Sequence, residues 1–276
     1  MKIGVKTNLN RDLNASTAHA FCAKLKSNGL SYKVCDNASD YFDASEVAPT
    51  SYVYEWCDVV VSFGGDGTML DSVRYLRNNQ PILGINMGKI GFLTEVDENE
   101  IDYAVKCLKD KSYEIETRTL IKISVDGREY HALNEIIVSR QDPCHISSFD
   151  IELDGVKADT VRSDGILVST PTGSTAYSLS CNGPVLSPSV KALIVNAICP
   201  HSLHSCPMVI DDNMKIKIST SSPNIRIIVD GIVVKNSEGN GLSVTIEKAD
   251  KHASFIRFKN ENFYNKLRKK LNYWGE

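Results

Sequence analysis

The chain lacks any apolar run long enough to span a bilayer, which excludes a helical membrane segment. It shows no charged leader followed by an apolar stretch and a small-residue cleavage site. Met1-Lys2-Ile3-Gly4-Val5 enters a strand-like segment directly, so a secretion signal is not expected and the chain reads as cytoplasmic. No long basic run is present and the formal net charge is −3, which leaves no electrostatic footprint for nucleic acid. The eight cysteines, Cys22, Cys35, Cys57, Cys107, Cys144, Cys181, Cys199 and Cys206, include no CxxC pair. Without a secretion signal they read as reduced core thiols. Cys199, His201, His204 and Cys206 are clustered, but too tightly for the usual two-knuckle zinc arrangement. Pro200 and Pro207 make that stretch a structural or substrate-lining loop. Internal repeats and low-complexity segments are also missing.

What remains is 276 residues, 42% of them hydrophobic, enough for two domains with a sizeable core. The first third alternates strands (2–6, 31–34, 58–63, 81–85) with helices (13–28, 67–77, 100–108). That alternation predicts an open, Rossmann-like parallel sheet covered on both faces, and DVVVSF at 58–63 is a buried strand of that kind. Near Tyr113 the pattern changes to alternating runs at 115–125, 129–139, 149–153 and 157–161. Asp126-Gly127 and Asp154-Gly155 join them as hairpin turns. Further strands are expected at 166–169, 215–219, 225–229, 243–247 and 253–258, and a helix at 261–273. The predicted fold class is therefore α/β. It has an α/β domain over 1–112, a β-rich domain over 113–258, and a terminal segment, 259–276, returning to the first.

The most informative stretch is Ser62-Phe63-Gly64-Gly65-Asp66-Gly67-Thr68, between a buried strand and a helix. Open α/β sheets bind ligands at such junctions. Glycines there let backbone amides approach phosphate oxygens, and the helix start adds a favourable field. The spacing is neither GxGxxG nor a Walker A loop. Asp66 is anomalous, because a carboxylate repels phosphate. It makes sense if it holds Mg²⁺ or accepts a proton from an attacking hydroxyl. The plainer alternative is a turn aspartate capping the helix that follows.

Four more constellations stand out. Asn86 to Phe92 is a second glycine-containing turn, with Phe92 either core or set against a base. Asn134-Glu135 suits an adenosine, the amide for a base edge and the carboxylate for ribose hydroxyls, or is an exposed polar pair. Ser163-Asp164-Gly165 precedes a strand leading into Thr170-Pro171-Thr172-Gly173-Ser174-Thr175-Ala176-Tyr177-Ser178-Leu179-Ser180. The hydroxyls of that run can wrap a diphosphate or ribose, and Tyr177 can stack on a base. Asp230-Gly231 reads first as a hairpin turn.

Taken in order, these motifs resemble the NAD kinases over essentially the whole chain. The resemblance rests on Gly64 to Thr68, Gly84-Ile85-Asn86 with Gly91-Phe92-Leu93, Asn134-Glu135, Ser163-Asp164-Gly165, STPTGSTAY at 169–177, Pro200-His201-Ser202-Leu203 and Asp230-Gly231. GGDGT alone is shared with diacylglycerol and sphingosine kinases, whereas STPTGSTAY is far more specific. The resemblance implies phosphoryl transfer from ATP or another donor, with Mg²⁺, to the adenosine 2′-hydroxyl of NAD, giving NADP. It implies a homo-oligomer, dimer or tetramer, with NAD bound between domains. Asp66 would be the proton acceptor, with Gly64, Gly65 and Gly67 around it. Asn134, Glu135, Arg162, Asp164, Thr175, Ala176, Tyr177 and Ser180 would line the NAD site, with Phe92 and Thr172 as looser assignments. Two departures stand out. Cys181-Asn182-Gly183-Pro184 lies where two glycines usually precede the proline, and Cys206 lies where an arginine usually does. The competing readings are a lipid kinase sharing the GGDGT turn and a non-catalytic NAD-binding regulator.

Overall fold

The computed structural model describes residues 1–77, 79–88, 91–142, 144–202, 205–258 and 263–274. The chain divides into two compact units, Met1–Thr117 with Ala253–Glu276, and Arg118–His252.

In the first unit, β1 (Lys2–Thr7) is followed by α1 (Ser16–Ser27), β2 (Ser31–Cys35), β3 (Val47–Ala48), α2 (Thr50–Trp56) and β4 (Val59–Gly64). Then come α3 (Asp66–Val73), β5 (Pro81–Asn86), β6 (Val96–Asp97) and α4 (Ile101–Asp110). The strands run parallel in the order β5-β4-β1-β2-β3. β4 is buried along its whole length, hence its unbroken apolar sequence. Phe21 and Leu25 of α1 and Ala104 and Leu108 of α4 share a core with Ile3, Val5, Val61, Phe63, Leu83 and Ile85. The first helix is shorter than the 13–28 expected from periodicity. Asp12 explains this, because its carboxylate accepts the Thr17 and Ala18 amides at 2.9 and 3.0 Å and fixes the start. From β1 the chain moves outward to β2 and β3, then crosses back to β4 on the other side. The junction of β1 and β4 is thus the switch point of the sheet.

β7 (Glu114–Val125) leads into the antiparallel strands of the second unit. These are β8 (Arg128–Ala132), β9 (Glu135–Arg140), β10 (Ser147–Leu153), β11 (Val156–Ser163) and β12 (Gly165–Ser169). After the short α5 (Tyr177–Ser180) come β13 (Ala192–Ile198), β14 (Met208–Asp211), β15 (Ile216–Val229) and β16 (Ile232–Arg257). The sheet order is β14-β13-β12-β9-β15-β16, with β10 pairing β15 and β11. Asp126-Gly127, Asp154-Gly155 and Asp230-Gly231 each close a hairpin with both residues at positive φ, as tight two-residue turns require. Ile136, Val138, Phe149, Ile166, Val168, Val195, Ile218, Ile227 and Ile246 form the core.

Several expectations change. The run 129–139 is two strands broken at Leu133-Asn134. The segments 215–219 and 225–229 are one bulged strand, β15, and 243–247 and 253–258 belong to β16. β3, β13, β14 and α2 have no counterpart in the periodicity. Ser254 and Phe255 of β16 pair in parallel with Pro81 and Ile82 of β5, and α6 (Phe263–Trp274) follows. Cys22, Cys35, Cys57 and Cys107 are core thiols, and burial pushes Cys57 up to about 11. Cys144, Cys199 and Cys206 are exposed, because they lie in loops outside the strands. Among the described residues no helix is long and apolar enough to cross a membrane.

Candidate active site

In the first unit the carboxyl ends of β1 and β4 open onto a crevice of about 450 Å³. Lys6, Asn8 and Asn37 line it on one side, and Gly67, Thr68 and Tyr75 on the other. Asn8 donates to Thr68 Oγ1 at 3.0 Å, tying the loop after β1 to the first turn of α3. Lys6 is almost fully buried, ion-paired with Asp71 and set 4.9 Å from the Tyr75 ring centre. The three glycines of the turn differ in purpose. A Cβ on Gly64 would sit 2.2 Å from Thr68 Oγ1, so close packing excludes one. A Cβ on Gly65 or Gly67 would meet nothing within 4 Å among the described residues, so these two leave open space there. The Thr68 and Met69 amides turn back onto Gly65 O. As at any helix start, the first amides of α3, those of Asp66 and Gly67, have no carbonyl partner within the helix.

Asp66 does not cap its own helix; the cap position is Gly65, and no side chain bonds there. Its carboxylate instead reaches across to the next loop. Oδ2 accepts the Phe92 amide and Oδ1 the Leu93 amide, each at 3.0 Å. Gly91 makes this approach possible, since a Cβ there would lie 2.4 Å from Asp66 Oδ1. Lys270 of α6 completes the set at 3.1 Å from Oδ2. The Phe92 ring is buried, 5.9 Å from Phe263 and 4.3 Å beneath the Lys270 ammonium, so it packs as a core side chain. Lys89 and Ile90 of this second glycine turn lie outside the described residues.

In the second unit the Asn134-Glu135 pair sits at the break between β8 and β9. The cause of the break is Asp230, whose carboxylate accepts the amides of Leu133, Asn134 and Glu135 at 2.7, 2.8 and 3.1 Å. Three amides gathered on one carboxylate cannot also serve a ladder. Asn134 O in turn accepts the Thr170 amide at 2.9 Å and the Ser169 hydroxyl at 3.2 Å. The loop 170–176 is thereby fastened to Asn134, and Arg118 holds Thr172 Oγ1 at 3.2 Å. Thr172 is buried, Thr175 and Ala176 are partly exposed, and Tyr177 and Ser180 face solvent. Asp164 is ion-paired with Arg140 at 2.6 Å, and Arg162 is exposed beside it on β11. Asn182 has φ 61°, a left-handed conformation that asparagine tolerates better than most residues, which accounts for its standing where a glycine is usual.

Glu135 is buried, and among the described residues its Oε2 has no hydrogen-bond partner. Burial, and then the neighbouring Asp230 carboxylate, push its acid up to about 8 from an ordinary 4.5. It is therefore a neutral carboxylic acid at pH 7, able to donate as well as accept. The folded state binds this proton more tightly than the unfolded chain. Its contribution to stability is thus complete below about pH 4.5 and is lost as pH rises through about 8. In Glu135→Gln, urea unfolding midpoints should fall less between pH 5 and 8 than in the unaltered protein. Equal slopes would refute the shift. Gly173→Ala is expected to destabilise by about 1–3 kcal/mol, because its Cβ would lie 2.2 Å from the rigid Asn134 O. Unchanged thermal unfolding would show that the loop can move aside.

Four groups went unrecognised in the sequence. Lys6 and Arg118 lie in ordinary strand runs, and Lys270 lies in a helix of many cations, so none carried a local signal. Asp230 reads first as a turn and otherwise as one motif of the resemblance, and its task of gathering three amides shows only in three dimensions. Among the described residues no three His, Cys, Asp or Glu side chains are gathered as metal ligands; His204 and Leu203 lie outside that set.

Residues 8–113 match the family model for the ATP-NAD kinase N-terminal domain, and residues 133–258 match that for the C-terminal domain. The chain is 30% identical to the NAD kinase of Chloroherpeton thalassium, over 100% of this chain and 99% of that protein. It is 33% identical to the NAD kinase of Caldicellulosiruptor saccharolyticus, over 98% and 99%. Its fold matches an NAD kinase from Archaeoglobus fulgidus in complex with ATP, with TM-score 0.79, 28% identity and coverage of 97% and 99%. Yeast NADH kinase complexed with NADH shares the fold with TM-score 0.89 at 22% identity, over 99% and 88%.

Proposed function

This chain belongs to the NAD kinase family, and on that premise we propose how its residues divide the work of phosphorylating NAD with ATP. The activity is transfer of a phosphoryl group to the adenosine 2′-hydroxyl of NAD, giving NADP. Neither a lipid kinase nor a non-catalytic NAD-binding regulator is favoured by the comparisons.

One observation carries the assignment of Asp66 as the proton acceptor. Its carboxylate is seated on two backbone amides of another loop, not spent on its own helix. Among the described residues Oδ1 receives one donor, the Leu93 amide. A carboxylate oxygen has room for two, so a substrate hydroxyl can take the second place. Asp66 then orients the hydroxyl and removes its proton late, as the new P–O bond forms and the bond to the donor's leaving phosphate breaks. The donor belongs in the crevice at the β1–β4 switch point. There the open space above Gly65 and Gly67 and the first amides of α3 suit phosphate oxygens. A divalent cation such as Mg²⁺, brought in with the donor, would supply neutralisation of the phosphate charge. For NAD we assign Asn134, Glu135, Arg162, Asp164, Thr172, Thr175, Ala176, Tyr177 and Ser180 of the second unit. The fastening of Asn134 to the 170–176 loop supports them as one surface. Phe92 serves through packing beneath Lys270. A cytoplasmic homo-oligomer completes the reading.

The test incubates purified protein with NAD, ATP and Mg²⁺, detects NADP enzymatically, and omits each component in turn. NADP formation dependent on all three is expected. Phosphorylation of a lipid dispersion with NAD left untouched, or NAD binding without NADP from any donor, would overturn the proposal.

A further inference from the structure

We propose that Lys270, on α6, is a positioning residue that fixes which oxygen of Asp66 receives the proton; the inference rests on the reading of Asp66 as acceptor. Oδ2 takes both the Phe92 amide at 3.0 Å and the Lys270 ammonium at 3.1 Å, which fills its two lone-pair directions. Among the described residues Oδ1 takes the Leu93 amide alone. The two oxygens are therefore unlike. Oδ2 is a structural anchor, and Oδ1 is the one left with a direction for a hydroxyl. The ammonium is itself held. It sits 4.3 Å from the centre of the Phe92 ring, and that ring rests 5.9 Å from Phe263, about two helical turns earlier on α6. The same helix is tied down independently by Lys266, which is buried and donates to Thr94 O at 2.8 Å. Thus α6 presents its cation from a fixed height. The carboxylate meets donors from two sides, the 92–93 backbone and the helix, and cannot rotate without losing at least one of them. Phe92 also gains a purpose beyond filling space, as the platform on which the ammonium rests.

Without Lys270 the carboxylate keeps its two amides but loses the contact that makes Oδ2 the crowded oxygen. It can then turn about its Cβ–Cγ bond and share the hydroxyl between two poorer geometries. Misplacement of a reacting group by about 1 Å is worth about 10²-fold in rate. Lys270→Met is accordingly expected to lower kcat about 10- to 100-fold, with KM for NAD and for ATP unchanged within about twofold. Lys270→Arg should recover most of the loss, because a guanidinium both pairs with a carboxylate and stacks on a ring. A double-mutant cycle separates positioning from mere support. If Lys270 acts through Asp66, adding Lys270→Met to Asp66→Asn should change the residual turnover, read by a cycling assay for NADP, by less than about twofold. Full turnover in Lys270→Met, or the same fold-loss in both backgrounds together with a lowered melting temperature, overturns the inference while leaving Asp66 in place. Normal turnover in Asp66→Asn overturns the reading of Asp66 itself, and this inference with it.

Discussion

Asp66→Asn should lower kcat by about 10²- to 10⁴-fold, the range that a positioned proton acceptor contributes. The substitution keeps the size of the side chain and removes its charge. It also replaces an acceptor by a donor. Asp66 accepts from the Phe92 amide, the Leu93 amide and Lys270. An asparagine offers one acceptor oxygen, and its NH₂ must face at least one of those donors. That conflict costs about 1–3 kcal/mol, which melting or urea unfolding will show as a modest shift. Turnover and stability are therefore expected to part company. The protein stays folded at assay temperature, binds NAD and ATP, and makes NADP at a small fraction of the original rate. Saturating-substrate kinetics on the folded variant is the measurement. Unchanged kcat would reduce Asp66 to a brace between two loops.

The second large effect is expected at Asp230. Its carboxylate collects the Leu133, Asn134 and Glu135 amides at the point where β8 gives way to β9. Asp230→Ala leaves three donors without an acceptor in a buried corner. Each unsatisfied group costs about 1–3 kcal/mol, and neighbouring losses are not additive, so about 3–5 kcal/mol is expected overall. The functional loss should be at least as large. Asn134 is what the 170–176 loop is fastened to, through its carbonyl oxygen. Once the corner slackens, the surface assigned to NAD loses its shape. Urea unfolding together with NAD titration by calorimetry tests both halves. If Asp230→Ala unfolds at the original midpoint, water replaces the carboxylate without cost, and the corner is not held as described.

The architecture was legible where periodicity is strong. Buried parallel strands such as β4 read as unbroken apolar runs, and the three Asp-Gly pairs located their hairpins to the residue. It was less legible where a side chain far along the chain decides local structure. The run 129–139 alternates like one strand, yet it is interrupted because a carboxylate about a hundred residues later captures its amides. No window of sequence contains both partners. β14, with alternating burial, and the two-residue β3 were too short to stand out. At the site, Asp66 drew notice because an acid among glycines is out of keeping with phosphate. The surrounding donors did not, since a lysine on a basic helix and two backbone amides look like any others.

The first unit is built from both ends of the described chain, with Ser254 and Phe255 completing the edge of β5 and α6 meeting Asp66 after the whole second unit has intervened. Proteins emerge from the ribosome amino end first. The carboxylate is therefore made early and must wait for the whole second unit before its lysine exists. A chain halted midway in translation would carry the GGDGT turn with no ammonium beside it. Full seating of the acid thus waits on synthesis of the second unit.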